Sequence, residues 1–174
     1  MAGRRSSIFS IPCRGAVYAD SYKEACEINA EYFGKRISLQ AWHICRKIRE
    51  VDQALLSAPG LHSQIYKSHP ELTFQELNGG QPLLESKKTS EGIEERLSLL
   101  NSYLPDADLL YQAILSEYPR KQVGRDDIVD ALALVALGKV PRKMIGDESE
   151  TDEQGLPIRM VIPDINFIDR ASTG

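Results

Sequence analysis

The alternation of apolar and polar residues along this chain has mainly the periodicity of α-helices. Over most segments the apolar residues recur three or four positions apart, which indicates amphipathic helices that bury one face. The pattern predicts six helices, over residues 22–33, 38–56, 71–77, 91–103, 106–118 and 126–139. Residues 131–137 contain no polar side chain, so we expect the last helix to be buried on most sides.

Only two segments have the composition of strands. Residues 62–68, with Ile65 and Tyr66 at their centre, predict a strand that ends before Pro70. Residues 158–162 predict another after a polar linker over 145–155, and we expect irregular structure at 1–20 and a flexible tail from 163. Two short strands do not form a stable independent sheet. Either the fold is mainly helical, or a sheet lacks some of its strands.

Size and composition bound the class of protein. A chain of 174 residues suffices for one domain with a substantial core, and 42% hydrophobic and 26% charged residues are typical of soluble globular proteins. No stretch is long enough to cross a bilayer, and the N-terminus lacks the apolar core of a signal peptide. Cys13, Cys26 and Cys45 show no CxxC spacing, which indicates reduced thiols. We therefore predict a cytoplasmic protein without membrane contact.

The distribution of charge bears on nucleic-acid binding. A net charge of -4 argues against broad electrostatic attraction to nucleic acid, which normally needs a basic surface. The first 50 residues are nevertheless rich in lysine and arginine, whereas 147–153 is an acidic run. A locally basic face on an acidic protein therefore stays open.

Three aspartates stand at the start of the last predicted helix. Asp126 and Asp127 suit its first turn, where carboxylates cap the helix and complement its positive end. Asp130 lies further on, on the same face as the other two. Carboxylates at such short distances repel one another unless a cation lies between them, and in proteins this cation is usually a divalent metal ion. Helix capping with one exposed acid is the simpler interpretation.

Two further clusters could take part in the same chemistry. Glu71 and its neighbour His69 follow a predicted strand, and open α/β sheets bind ligands beyond the carboxyl ends of their strands. Lys87 and Lys88, flanked by hydroxyl side chains, suit phosphate or carboxylate binding. A helix-start glutamate, an ordinary loop histidine and a solvated lysine loop explain each cluster equally simply.

Taken together, the acids are similar to the carboxylate cluster of two-metal phosphoryl-transfer sites. In such sites two divalent ions hold the attacking and the leaving oxygen, and they need several acidic ligands from different elements. This chain offers Glu71, Asp127 and Asp130, with Asp126 in reserve. It contains no Walker loop and no GxSxG, HExxH or GxGxxG motif.

The motifs, in this order and spacing, resemble the DUF429 family of predicted nucleases with a ribonuclease H-like fold. The resemblance rests on residues 68–71, 77–80, 86–89 and 126–133, and residues 4–9, 40–52 and 155–162 also look like this family.

This resemblance implies a site at which carboxylates bind Mg²⁺ or Mn²⁺ and activate water to hydrolyse a phosphodiester. Glu71 would lie at the end of the fourth strand, and Asp127 and Asp130 on the final core helix, as metal ligands and catalytic residues. Lys87 and Lys88 would contact the phosphates of the substrate, with His69 as a further candidate for substrate binding. The substrate itself, DNA, RNA or something smaller, stays open.

The chain departs from the family at its start. Members begin with three strands, the first of which carries an aspartate in a Gly-x-Asp-Gly setting, and no such segment precedes Arg4. We therefore expect residues 1–174 to form a single, N-terminally incomplete α/β domain of the ribonuclease H-like class, rich in helices and with about two core strands. Its metal site would be open and weak, and whether the chain alone is active stays open.

A different class of function competes with the nuclease hypothesis. The chain could be a non-catalytic remnant that binds a protein partner, or a second copy of itself, through an unpaired strand edge or a helical face. Nucleotide binding is a third reading of the same fold class, and the absence of glycine-rich phosphate loops argues against it.

Overall fold

The computed structural model describes residues 11–147, 149–164 and 166. These residues divide into two compact units, one within 1–65 and 153–156, the other within 66–152 and 157–174. The family-like segment 4–9 and almost all of the tail predicted to be flexible lie outside the described residues.

The first unit is a small cluster of helices. It contains α1 (Arg14–Tyr18), α2 (Tyr22–Phe33), α3 (Leu39–Ser57) and a 3₁₀ helix (Pro59–Ser63). The three α-helices pack on one another around buried side chains, most of them small: Cys13, Ala16, Ala19, Ala25, Cys26, Ile37 and Ala41. Small side chains at a contact let the helix axes approach closely.

Capping residues fix the ends of α2 as the sequence predicts. The Ser21 hydroxyl accepts a hydrogen bond from the Glu24 amide at 3.2 Å, and Gly34 ends the helix in the left-handed region at φ 71°. The predicted helix over 22–33 is therefore confirmed. The irregular lead-in predicted for 1–20 is wrong over Arg14–Tyr18, where a one-turn helix packs on α2 and α3.

The second unit contains the other four helices and both strands. These are α4 (Pro70–Leu77), α5 (Ser90–Asn101), α6 (Ala107–Glu117), α7 (Arg125–Lys139), β1 (Arg142–Ile145) and β2 (Met160–Pro163). Helix α7 contacts α4, α5 and α6, and its residues Ile128, Val129, Leu132, Ala133 and Ala136 supply much of the core. Predicted and observed helix ends differ by at most two residues in this unit.

Helix α7 is less enclosed than its composition predicts. Leu134 is 41% exposed, Val135 is 47% exposed, and Ala131 is exposed on the same side. The expectation that this helix is buried on most sides is therefore wrong. Apolar composition alone does not show which face of a helix meets the core. Here the buried residues of α7 recur three or four positions apart on one side, while apolar residues also occupy part of the exposed side.

The strands form a two-stranded antiparallel sheet in which Lys143 pairs with Ile162. The strand predicted over 62–68 is wrong except at Lys67, which forms an isolated parallel bridge to Met160. Pro59 and Gly60 start the 3₁₀ helix instead, and the Leu61 carbonyl accepts the amides of residues 64 and 65, so these groups cannot join a sheet.

The architecture is thus mixed α/β and rich in helices, as the sequence predicts in outline. Seven α-helices, one 3₁₀ helix and two strands account for the regular structure of the described residues. Strand β1 is not foreseen from the sequence, because its four residues contain two basic side chains and no run of apolar residues. No helix among the described residues is long and apolar enough to cross a membrane.

Candidate functional site

The second unit brings together two of the clusters that the sequence singles out. The ammonium group of Lys87 lies 2.5 Å from Asp130 Oδ2, and that of Lys88 bonds Asp126 Oδ2. The lysines precede α5, whereas the aspartates lie on the first two turns of α7, so the pairs span 43 and 38 residues of sequence. We call these four residues the lysine–aspartate cluster.

A tight turn presents both lysines. Thr89 caps α5, since its hydroxyl oxygen accepts the Gly92 amide at 3.1 Å while the hydroxyl donates to the Ser86 carbonyl at 2.9 Å. The Ser86 hydroxyl in turn accepts the Lys88 amide at 3.3 Å. The two hydroxyl residues that flank the lysines therefore shape the loop.

Gly92 lets this loop lie directly on α5. A Cβ atom added at position 92 would stand 1.9 Å from the Ser86 carbonyl oxygen, a distance at which no side chain fits. Glycine in the first turn of a helix lowers its stability, so the close approach of the loop explains its presence here.

Behind the loop lies a buried ion pair. Arg96 on α5 is fully buried, and its Nη2 atom lies 3.0 Å from Oε1 and 3.3 Å from Oε2 of Glu71 on α4. Its Nη1 atom donates to the carbonyls of Glu85 at 3.1 Å and Gly92 at 2.9 Å. The guanidinium group also lies over the Phe74 ring, 5.3 Å from the ring centre.

The start of α7 divides its three acids between different environments. Gly124 is the N-cap residue of α7, and the side chains of Asp126 and Asp127 fold back towards it. Asp127 Oδ2 would lie 2.8 Å from a Cβ atom added at Gly124. Asp127 is exposed, whereas Asp126 and Asp130 are partly buried. Asp127 thus lies where helix capping alone explains an acid.

Comparison with known protein families identifies the chain. The model of DUF429, described as a protein of unknown function, matches residues 1–143. The chain belongs to the DUF429 family. Comparisons with curated proteins and with solved structures found no match. All members of the lysine–aspartate cluster of this DUF429 chain, and the Arg96–Glu71 pair, lie within the matched range.

The two aspartates of the DUF429 cluster differ in their affinity for protons. Burial raises the pKa of Asp130 above its ordinary value of 3.8, and the charges of Glu71 and Asp126 add to this, while Lys87 opposes it. Burial also acts to raise the pKa of Asp126, and the hydrogen bond from Lys88 together with the nearby positive charges outweighs it, so that this pKa is lowered. Asp130 is therefore the stronger base.

The cluster does not have the arrangement of a metal centre. Among the described residues, no group of three or more Asp, Glu, His or Cys side chains is placed to hold a metal ion. Glu71 pairs with Arg96, and Asp130 pairs with Lys87, so cationic side chains stand where a divalent ion would. A divalent ion at Glu71, Asp127 and Asp130 would have to displace Arg96 from Glu71 and Lys87 from Asp130, and the Mg²⁺ or Mn²⁺ site stays a prediction.

His69 lies at the start of α4. It occupies the N-cap position of α4 without a side-chain capping bond, and its Nδ1 atom is buried with no hydrogen-bond partner among the described residues. The ammonium groups of Lys87 and Lys88 bond to the aspartates of α7 rather than to His69. Its predicted role in substrate binding stays a prediction.

Arg96 is the residue that sequence reasoning misses. An arginine inside a charged helical segment ordinarily indicates a solvated face, since arginine is rarely fully buried. The glycine four residues earlier, within the first turn of the same helix, is the signal that could have found it, because it marks a surface on which another segment lies.

Proposed function

We propose that this DUF429 chain is a nuclease-type protein of the ribonuclease H-like class that binds phosphodiesters through Lys87 and Lys88. The observation that carries this proposal is the meeting of two adjacent loop lysines with two acids of α7. The aspartates hold both ammonium groups close together. A substrate phosphate can then replace a carboxylate as the partner of these ammonium groups. Charge-assisted bonds of this kind are the usual contacts of lysine with phosphate.

Asp130 supports hydrolysis as well as binding. Its Oδ2 atom is occupied by Lys87, whereas its Oδ1 atom is buried without a hydrogen-bond partner among the described residues. A carboxylate whose pKa is raised by burial is a better proton acceptor than a solvated one. In the proposed reaction the water oxygen bonds to phosphorus as Asp130 takes one of its protons, and the bond from phosphorus to the leaving oxygen breaks. The leaving oxygen takes up a proton from solvent, while the lysines offset the charge that develops on the other phosphate oxygens.

Oligonucleotide binding tests the phosphate contacts. We expect short single-stranded DNA or RNA to bind the wild-type chain and to bind the Lys87→Met/Lys88→Met variant more weakly, with a salt dependence lowered by about two units of slope. Lys23→Met on α2 is the matched control, because this lysine is exposed and lies in the other unit. Equal affinity and equal salt dependence in all three proteins would remove the proposal.

Hydrolysis and metal dependence form a separate experiment. The nuclease hypothesis expects Mg²⁺ or Mn²⁺ to raise the melting temperature of the wild-type chain and to support cleavage of a model phosphodiester. Asp130→Asn should abolish both effects, whereas Asp108→Asn, at the start of α6, should keep them. If the metals shift the melting temperatures of wild type and Asp130→Asn by the same amount, Asp130 is not a ligand.

Binding of a protein partner is the second candidate function, and the exposed face of α7 favours it. Ala131, Leu134 and Val135 present an apolar surface on a helix whose opposite side is core. Self-association or capture of a partner through this face should be lost in Leu134→Glu, as measured by light scattering after size-exclusion chromatography. A monomeric wild-type chain that Leu134→Glu leaves unchanged would count against it.

A further inference from the structure

We propose that Glu71 is a positioning residue, which acts through Arg96 to fix the loop that carries Lys87 and Lys88. This inference rests on the proposed function of the two lysines. It assigns to Glu71 a role different from that of the metal ligand implied by the family resemblance.

Arg96 joins three segments of the second unit. One nitrogen of its guanidinium group faces Glu71 on α4, and the other donates to Glu85 in the loop and to Gly92 on α5. The guanidinium group is planar and rigid, so these contacts fix the relative positions of the groups that it bonds. The carbonyl of Glu85 lies only two residues before Lys87.

A second acid, Glu95, bonds the loop at the same place as Arg96. The Glu95 carboxylate accepts the backbone amides of Leu84 at 3.2 Å and Glu85 at 3.1 Å. The next residue, Ser86, lies against the bare backbone of Gly92. The loop is therefore held at three successive residues immediately before the lysines. Among the described residues, Arg96 is the only fully buried charged side chain that takes part in these contacts.

This attachment depends on Glu71. A guanidinium group is strongly disfavoured in the interior without an opposite charge. Both carboxylate oxygens of Glu71 lie within 3.3 Å of Arg96 Nη2, whereas the Glu95 carboxylate is more distant, 4.0 Å from Nη1, so Glu71 is the nearer counter-charge. Without the carboxylate, Arg96 gains by turning towards water, and it then releases the Glu85 carbonyl. Glu71 thereby acts on the lysines through Arg96 and the loop, with no contact to substrate of its own.

The environment of the lysines gives a direct test. Reductive methylation with ¹³C-formaldehyde labels each lysine for NMR, and single Lys→Arg variants assign the signals of Lys87 and Lys88. We expect Glu71→Gln to move both signals to the position of a solvated lysine such as Lys23, and to weaken oligonucleotide binding about tenfold. Glu94→Gln is the matched control, because this glutamate is exposed on the same helix as Arg96.

Two further variants keep the test decisive. Glu71→Asp retains the charge that opposes Arg96, and we expect a partial shift of both lysine signals because its shorter side chain retracts from Arg96. In Arg96→Met, replacing Glu71 by Gln should add no further loss of oligonucleotide affinity. The inference is overturned if Glu71→Gln and Glu71→Asp leave both lysine signals in place, even where the metal-induced rise in melting temperature is lost.

The outcomes also separate this inference from the proposed function. If the wild-type chain binds no oligonucleotide, the proposed function fails, while the lysine signals still report whether Glu71 positions the loop. If the wild type binds and the signals stay in place in both Glu71 variants, the positioning role alone fails.

Discussion

Lys87 Nζ lies 2.5 Å from Asp130 Oδ2, although the two residues stand 43 positions apart in the sequence. Both side chains are partly buried, and the second oxygen of Asp130 is enclosed without a hydrogen-bond partner among the described residues. An acid held in this way is unfavourably placed for folding, because burial disfavours its charge more than one lysine restores. Such arrangements are common at functional sites, where chemistry rather than stability selects the residue.

The two acids of α7 should respond to pH in opposite directions. The pKa of Asp126 is lowered on folding, so its contribution to the free energy of unfolding is present above its ordinary value of 3.8 and is lost as the pH falls below it. The pKa of Asp130 is raised, so the folded chain loses stability as the pH rises through 3.8 towards the higher folded value.

Denaturant unfolding at a series of pH values from 3.5 to about 7 measures this contrast. From acid to neutral pH, Asp126→Asn should become less stable relative to the wild-type chain, whereas Asp130→Asn should become more stable relative to it. The two variants lie four residues apart on one helix and make the same chemical change, so each serves as the control for the other. Parallel trends would contradict the assigned directions of the two pKa shifts.

Gly92→Ala should damage the lysine loop while leaving every charge in place. The added methyl group would stand 1.9 Å from the Ser86 carbonyl oxygen, so the loop must move away from α5. We expect a loss of about 1–3 kcal/mol in the free energy of unfolding, as for other overpacked sites, together with weaker oligonucleotide binding. Gly138→Ala on α7 is the control, because nothing lies within 4 Å of its added Cβ. Equal effects of both changes would show that helix propensity alone is at work.

How far the fold follows from the sequence depends on whether its signals are local. The ends of α2 are local, since Ser21 and Gly34 each act within a few residues of the helix, and the predicted bounds are confirmed. The strand expected near Ile65 depended instead on a partner elsewhere in the chain. The turn signals of Pro59 and Gly60 decide that segment, and only Lys67 meets a strand.

The site shows the same division. The lysine pair and the α7 acids can be read as candidates from residue type alone, whereas their meeting across α5 and α7 cannot, because it depends on how the helices pack. The sequence marks Glu71 as a candidate site residue but does not mark its partner Arg96, because a buried arginine and a solvated one look alike in sequence. The role of an acid therefore follows from its partner rather than from its motif.

Removal of the Phe74 ring should weaken the second unit strongly. Phe74 is fully buried in its core and also lies beneath the Arg96 guanidinium, so Phe74→Ala leaves a cavity and removes the cation–π contact. We expect a loss of about 3–5 kcal/mol in the free energy of unfolding, and Phe74→Leu should recover much of it. A loss below about 1 kcal/mol for Phe74→Ala would show that this core collapses around the change.

Asn29 should be the most sensitive polar residue of the first unit. Its Oδ1 atom accepts the Cys13 amide at 2.9 Å and its Nδ2 atom donates to the Lys35 carbonyl at 2.8 Å, so one buried side chain satisfies both the start of α1 and the loop before α3. Asn29→Ala leaves the Cys13 amide and the Lys35 carbonyl without this partner. We expect a loss of about 1–3 kcal/mol in the free energy of unfolding, measured by denaturant unfolding. Asn78→Ala, which removes an exposed bond to the Gln81 carbonyl, should cost far less. Similar losses in both variants would mean that water replaces the buried contacts of Asn29 as readily as the exposed one.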